Sequence, residues 1–394
     1  MGIRPRFWVS PAEAVFVIAG VLFLIGLINI FSSSFILAGK LSNDSYFFVK
    51  RQLLAFLVGF VLLLFAALVD YRRINRGWVL FLALLTLLLL VAVHLGGEYV
   101  NGARRWLKIA SFQFQPSEMA KLSVVLLCAA YLGPKLDRER YVSLNSWPLY
   151  IALLLSLLVL KQPDMGTAVV ILGLGLILYV FAGIPWSQLL VLLVTGSALT
   201  VYLVYAAAYR FERIWAWIDP WSYQQTTGYQ MVQSLLAMGS GGLLGVGVGQ
   251  GASKYFYLPE AHTDFAFAVL CQEMGFAGAL VVMALFALLG WYGIKTAIKA
   301  PDGFGMMLAA GATTLIVGQG LGNMAMVAGL VPVTGVPLPF ISFGGTSLIV
   351  NMAAVGLLIS VGRRGASPVS AEKTEKTSLR ARLKLVRSPG RDRR

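Results

Sequence analysis

Long apolar runs, repeated along almost the whole chain, limit this sequence more than any other feature. Ten can be bounded by charges, glycine and proline, at about residues 12–37, 52–69, 77–95, 117–133, 147–162, 165–182, 188–208, 264–293, 304–329 and 345–361. Most approach the roughly 20 residues that an α-helix needs to cross the hydrocarbon of a bilayer. The fifth and sixth are parted only by Lys161-Gln162-Pro163-Asp164, a tight polar hairpin at a membrane face. Only 12% of the 394 residues are charged, against about 25% in an ordinary soluble domain. A soluble globular enzyme is thereby excluded. The expected fold is an all-α polytopic membrane protein of about ten transmembrane helices, with no cleavable signal peptide because Phe16 to Ile36 is long enough to span.

Charge sets the expected orientation. The chain carries 32 Lys and Arg against 17 Asp and Glu, for a net charge of +15. In a soluble protein that surplus would suggest nucleic acid, but in a membrane protein it marks cytoplasmic segments. With the N-terminus inside, 21 of the 32 basic residues fall in inside segments, among them Arg72, Arg73, Arg76, Lys295 and the tail. Both termini are therefore expected to be cytoplasmic, with one large extracytoplasmic loop, 209–263, between helices 7 and 8. The membrane domain would run over 1–361 and a basic cytoplasmic tail over 362–394. The tail is poor in aromatics, so disorder and attraction to anionic lipid are expected of it.

A connection as long as 209–263 is uncommon unless it has a function. On the same expected face lie Asn101-Gly-Ala-Arg-Arg-Trp106 through Gln115-Pro-Ser-Glu118 and Val331-Pro-Val-Thr-Gly-Val-Pro-Leu-Pro339 through Gly345. Charges near these segments need reasons, because a charge at mid-bilayer costs about 2.5–3.5 kcal/mol on insertion scales. Glu118 and Lys121, spaced i,i+3, read either as a local ion pair or as a cationic floor for an anionic headgroup. Arg104 and Arg105 read as an interfacial anchor beside Trp106 or as a phosphate clamp. Asp164 stands where a helix begins and suits a cap.

Asp264 could equally be a helix cap. However, Glu260, His262 and Asp264 crowd at a membrane boundary, where desolvation would raise a carboxylate towards a useful general base. With two histidines and two cysteines in the chain, a His-rich or Cys-rich metal site is excluded. Gly247-Val-Gly249-Gln-Gly-Ala252 lacks the βαβ setting of a nucleotide fingerprint. Gly318 and Gly322, in G-x-x-x-G spacing, predict close helix packing.

These segments together resemble the SEDS family of bacterial cell-wall polymerases, the FtsW/RodA group. The resemblance rests on Asn101-Gly-Ala-Arg-Arg-Trp106, Gln115-Pro-Ser-Glu-Met-Ala-Lys121, Gln162-Pro-Asp-Met-Gly-Thr167, Leu258-Pro-Glu-Ala-His-Thr-Asp-Phe265 and Pro337-Leu-Pro-Phe-Ile-Ser-Phe-Gly-Gly345. Asp219-Pro-Trp221 and Gly228-Tyr-Gln-Met-Val-Gln-Ser234 look closer to the FtsW division branch than to the RodA branch. Gln272 and Phe343 depart from the family's usual Glu and Tyr.

The resemblance implies lipid II polymerisation into β-1,4 glycan strands at the outer face of the inner membrane, at the division septum. It puts the essential carboxylate on Asp264 and the cations on Arg105 and Lys121. Substrate contacts are expected from Glu118, Asp164, Glu260, His262, Thr263, Ser342, Gly344 and Gly345. Lipid II, the growing undecaprenyl-linked strand, a class B penicillin-binding protein, other division proteins and membrane lipid are the implied partners, and nucleic acid is not one. No cofactor is certain; a divalent cation, Mg2+ or Mn2+, is the candidate, and no residue is assigned as a metal ligand. Two other readings stay open: a lipid II flippase using Glu118, Lys121, Asp164, Gln319 and Asn323 as a headgroup path, and a non-catalytic division scaffold.

Overall fold

The computed structural model describes residues 11–100, 102–109, 112–139, 141–205, 208–252, 255 and 257–365. The tail beyond 365, Arg4, Arg6 and Lys254 lie outside the described residues.

Each apolar run is a helix. In chain order these are α1 (Pro11–Ser42), α2 (Phe47–Leu68), α3 (Arg76–Gly96), α4 (Pro116–Asp137), α5 (Trp147–Leu160), α6 (Met165–Phe181) and α7 (Trp186–Tyr205). After α8 (Ala208–Ile218) and α9 (Tyr229–Ser240) come α10 (Ala266–Ile298), α11 (Gly303–Val327) and α12 (Gly345–Gly365). Seven of them, α1 to α4 and α10 to α12, are long and apolar enough to cross a membrane; α5, α6 and the start of α7 are shorter apolar helices. The chain is a multi-pass membrane protein.

The helix faces reflect the lipid solvent. Along α2 the buried stripe is Ala55, Gly59, Leu63 and Ala67, whereas Leu57, Val61, Phe65 and Leu68 point outwards. Small residues inside and bulky apolar ones outside suit a helix packed against neighbours on one side and lipid on the other. Close approach depends on glycine: a Cβ on Gly356 of α12 would collide with the Leu63 carbonyl oxygen of α2. The Gly318/Gly322 pair does not act this way. Gly322 has nothing within 4 Å of a Cβ placed on it, and the close contact is Gly320, where that Cβ would meet the Phe286 ring at 2.5 Å. The register of α11 turns the residue between the pair towards α10.

Two features correct an all-helical reading. Between α3 and α4 three strands, β1 (Glu98–Val100), β2 (Ala103–Ile109) and β3 (Phe112–Phe114), form an antiparallel sheet in the order β1-β2-β3. Gly102, at φ +80°, makes the turn from β1 to β2. The segment 209–263 is also no open loop. Its helices α8 and α9 dock on the end of α11, where Trp217 Nε1 donates to the Gly329 carbonyl at 2.9 Å and Ser234 Oγ to the Val327 carbonyl at 2.8 Å.

The glycine tract that follows α9 completes a break in α10. Gly275 sits at φ +66°, and a Cβ there would collide with the Gly245 nitrogen. The helix bonds lost at the break are replaced from the tract. Val246 and Gly247 N–H groups donate to the Gln272 and Glu273 carbonyls, and Phe276 and Ala277 N–H groups donate to the Gly242 and Leu243 carbonyls. Irregular backbone at a membrane helix is tolerated only when partners of this kind satisfy it.

Candidate active site

Asp264 closes the segment that begins at Leu258. Leu258, Ala261 and Phe265 are buried and anchor the segment, while Glu260, His262, Thr263 and Asp264 are half-buried. Glu260 takes the left-handed conformation, φ +54°, and its carbonyl accepts the N–H groups of Thr263 and Phe265, both at 3.2 Å. Thr263 Oγ1 donates to Glu260 Oε2 at 2.7 Å, closing the turn from its side-chain side. The Asp264 carbonyl accepts Asn323 Nδ2 at 2.7 Å. Its backbone is thereby fixed, yet no side chain among the described residues hydrogen-bonds its carboxylate.

That carboxylate is pushed up to about 7 by burial first, then by the negative charges of Glu260 and Asp164, with Arg105 opposing. A carboxyl poised there can take a proton near neutral pH. His262 has a different setting. Its ring packs on Phe48 (4.5 Å between centroids) and Phe343 (5.8 Å), and burial lowers its basicity against the pull of Glu260. It is a neutral wedge between α2 and the loop before α12.

The cationic side is built from β2, the 161–164 hairpin and α4. Successive residues of a strand face opposite ways, so Arg105 turns towards the hairpin while Arg104 is exposed. Arg105 Nε donates to the Gln162 carbonyl at 3.2 Å, and its Nη2 donates to the Pro163 carbonyl. Asp164 is buried and caps α6, with Oδ1 accepting the Thr167 N–H at 3.1 Å and Oδ2 accepting Gln115 Nε2 at 3.3 Å. Burial raises its carboxyl, with Arg105 opposing. Asp164 is therefore a cap and a member of the Asp264 electrostatic cluster at once.

Lys121 is fully enclosed. Its Nζ donates to Glu118 Oε1 at 2.7 Å and to Gln319 Oε1 at 2.6 Å, while Glu118 Oε2 and Ser117 Oγ are buried without partners among the described residues. The local ion pair is thus present, and a carboxylate oxygen remains available beside it.

The segment 334–346 connects these parts. A Cβ on Gly335 would lie 3.5 Å from Asp264 Oδ2, and the Pro337 carbonyl accepts Gln319 Nε2 at 2.8 Å. Further on, Ser342 Oγ accepts the Leu338 N–H, and Gln52 bridges the Ser342 carbonyl and the Gly344 N–H, both at 3.3 Å. Gly345 leaves room for the Phe112 ring, 3.0 Å from where its Cβ would be. Ser342 and Gly344 are thereby tied to α2 through Gln52, and Gly345 makes space for the sheet. Gln52 was the structural surprise, while Asn323, read in the sequence as part of a headgroup path, holds the Asp264 and Val336 carbonyls. Buried amides in apolar helices were the available signal, since each needs a partner in so dry a setting.

The described residues contain no group of three or more His, Cys, Asp or Glu able to hold a metal ion. No chemical step is assigned to a divalent cation.

Comparison with known proteins agrees with this architecture. The sequence model of the FtsW/RodA/SpoVE family, described as a cell cycle protein, matches residues 12–366. A probable peptidoglycan glycosyltransferase FtsW of a Geobacter species is 40% identical over 353 residues, covering 89% of this chain and 96% of the relative. Stage V sporulation protein E of Bacillus subtilis is 39% identical over 357 residues, covering 90% and 97%. Among solved structures, a chain of a peptidoglycan synthase complex that coordinates polymerization and crosslinking superposes with a TM-score of 0.72 at 29% identity, covering 89% of this chain and 97% of that one. The rod shape determining protein RodA of Thermus thermophilus gives 0.63 at 28%, covering 92% and 100%. The chain belongs to the FtsW/RodA/SpoVE family.

Proposed function

We propose that this chain is a peptidoglycan glycosyltransferase that polymerises lipid II into β-1,4 glycan strands at the outer face of the inner membrane during cell division. The observation that carries the reading is Asp264: a carboxylate on a pinned backbone, without a hydrogen-bond partner among the described residues, and raised to about 7. The family membership and the names of the relatives support the same activity.

In the proposed reaction Asp264 takes the proton of the 4-hydroxyl on the acceptor's GlcNAc. That oxygen attacks the anomeric carbon of the MurNAc at the end of the growing strand. The new C–O bond forms as the bond to undecaprenyl pyrophosphate breaks, with inversion, and the pyrophosphate leaves carrying the electron pair. Arg105 exchanges the Gln162 and Pro163 carbonyls for phosphate oxygens, a match to its forked donors. Lys121, enclosed behind Glu118 and Gln319, adds positive field from within the bundle. Glu260, Thr263 and Asp164 shape the pocket around the base.

The proposed topology has ten spans, both termini cytoplasmic and 209–263 outside, which puts the β1–β3 sheet, α8, α9 and Asp264 on one face. It is supported by the excess of basic residues in the inside segments. A class B penicillin-binding protein and other division proteins are the proposed partners, at the septum. The test is polymerisation of lipid II by the purified protein with its partner, wild type against Asp264→Asn. Wild-type-like strand synthesis by Asp264→Asn would sink the assignment of the base. Transport of lipid II without polymer would favour a flippase, and equal synthesis with Mn2+ or EDTA would remove the divalent cation.

A further inference from the structure

The two sides of the candidate site meet through two amides on α11. Gln319 and Asn323 are spaced i,i+4, so they lie on one face of the helix one turn apart. Both are buried in the bundle, Asn323 completely. Gln319 accepts from Lys121 Nζ at 2.6 Å and donates to the Pro337 carbonyl at 2.8 Å. Asn323 donates to the Asp264 carbonyl at 2.7 Å and to the Val336 carbonyl at 2.8 Å. Two amides therefore hold two consecutive carbonyls of one short strap, and each also holds one residue assigned to chemistry.

The strap is confined on its other sides as well. A Cβ on Gly166, two residues past Asp164, would collide with the Thr334 carbonyl oxygen. Gly335 follows at φ +71°, beside Asp264 Oδ2. Thr334, Gly335, Val336 and Pro337 thus contact, in order, the start of α6, the Asp264 carboxylate, Asn323 and Gln319. The strap is their common support, with Asn323 fixing its Asp264 end and Gln319 its Lys121 end.

We propose that Gln319 and Asn323 are positioning residues that keep Asp264 and Lys121 in a fixed mutual register through the Val336–Pro337 strap. The proposal rests on the polymerase reading and deepens it. Buried amides suit this role because their N–H groups donate to the strap carbonyls, and the Gln319 oxygen also accepts Lys121, while Asn323 Oδ1 has no partner among the described residues. In a dry bundle the donating geometry is held, because no water replaces a lost carbonyl partner. Neither residue need touch substrate. Misplacing a catalytic group by about 1 Å can cost about 100-fold in rate.

The experiment measures lipid II polymerisation by the full chain with its partner, for Asn323→Ala and Gln319→Met. Both variants should lower kcat by about 10–100-fold with KM changed less than twofold, as expected when bound substrate meets misplaced groups. The pH profile separates them. Facing Asp264 are Glu260, Asp164 and Arg105, so moving the Asp264 backbone in Asn323→Ala changes those distances and shifts the acid limb of kcat. Gln319→Met acts at Lys121 and leaves that limb in place.

Should Asn323→Ala fail to purify as a folded protein, Asn323→Ser, which keeps a hydroxyl donor, gives the same readings. Unchanged kcat, a rise in KM alone, or identical pH profiles for both variants would overturn the proposal. A wild type that makes no polymer would instead overturn the polymerase reading, and the two failures are distinguishable in one series.

Discussion

The two ends of the bundle hold Asp302 and Asp264 in contrasting ways. Where α2, α4, α11 and α12 meet, carboxylates lie against donors. Asp302 accepts from Tyr71 Oη at 2.7 Å, Arg72 Nε at 3.1 Å and the Gly305 N–H at 2.8 Å. Asp137 accepts the Gly303 N–H at 2.8 Å, and Asp70 pairs with Arg364 at 2.9 Å. At the other end Asp264 has no hydrogen-bond donor among the described residues, and burial with the negative charges of Glu260 and Asp164 raises its carboxyl. A carboxylate tied into caps and ion pairs stabilises helix ends. One left unpaired among like charges destabilises the fold and is useful as a base, and such strain in the charge pattern marks functional sites.

The sharpest way to break this comparison is to neutralise one aspartate at each end. Asp264→Asn should lower polymerisation by about 10²–10⁴-fold, the usual worth of a positioned base. Asp302→Asn should change it less than twofold while lowering the thermal midpoint. Equal losses of activity would show that the two ends are not functionally different.

Next in size is the buried pair. Lys121→Met leaves the Glu118 carboxylate enclosed without its cation and should destabilise the chain by about 3–5 kcal/mol. Adding Glu118→Gln should restore most of that stability, read as the thermal midpoint in detergent, without restoring activity. Recovery of activity as well would mean that Lys121 serves only to neutralise Glu118.

The protonation of Asp264 itself sharpens the contrast. Its folded value of about 7 lies above the ordinary aspartate value of about 3.9, so the folded chain holds this proton more tightly than the unfolded one. The corresponding stability is complete below pH of about 4 and is lost as the pH rises through about 7. Asp264→Asn should therefore raise the midpoint over wild type by about 1–3 °C at pH 8 and have no effect near pH 4. The smallest effect belongs to the opposite end: Arg364→Gln, which removes a partly exposed ion pair with Asp70, should cost less than about 1 kcal/mol in a thermal melt.

Much of the site was legible one residue at a time. Leu258-Pro-Glu-Ala-His-Thr-Asp264 stands out because charges at a membrane boundary are costly, and the Glu118–Lys121 pair follows from helix spacing. Arg105 rather than Arg104 came from resemblance alone, and the strand geometry of β2 then supplied a physical reason. The sheet itself went unseen because Asn101 to Phe114 is short, basic and between two apolar runs, so its alternation is weak against the helical signal around it. His262 looked like a member of a polar cluster, yet its nearest rings are Phe48 and Phe343, which come from segments far apart in sequence.

The sequence by itself determined that the chain lives in a membrane and where its apolar helices run, and it singled out Asp264 as a candidate base. Apolar runs, charge cost and helix period are local properties, readable within a window of twenty residues. Tertiary structure decided which groups are paired and which are left unpaired: that Arg105 rests on the hairpin carbonyls, that the glycine tract completes the break at Gly275, and that two α11 amides join Lys121 to Asp264. The physical reason is that hydrogen bonds in a low-dielectric bundle are settled by partners from distant segments, and a buried polar atom takes whichever donor or acceptor the packing brings within about 3 Å.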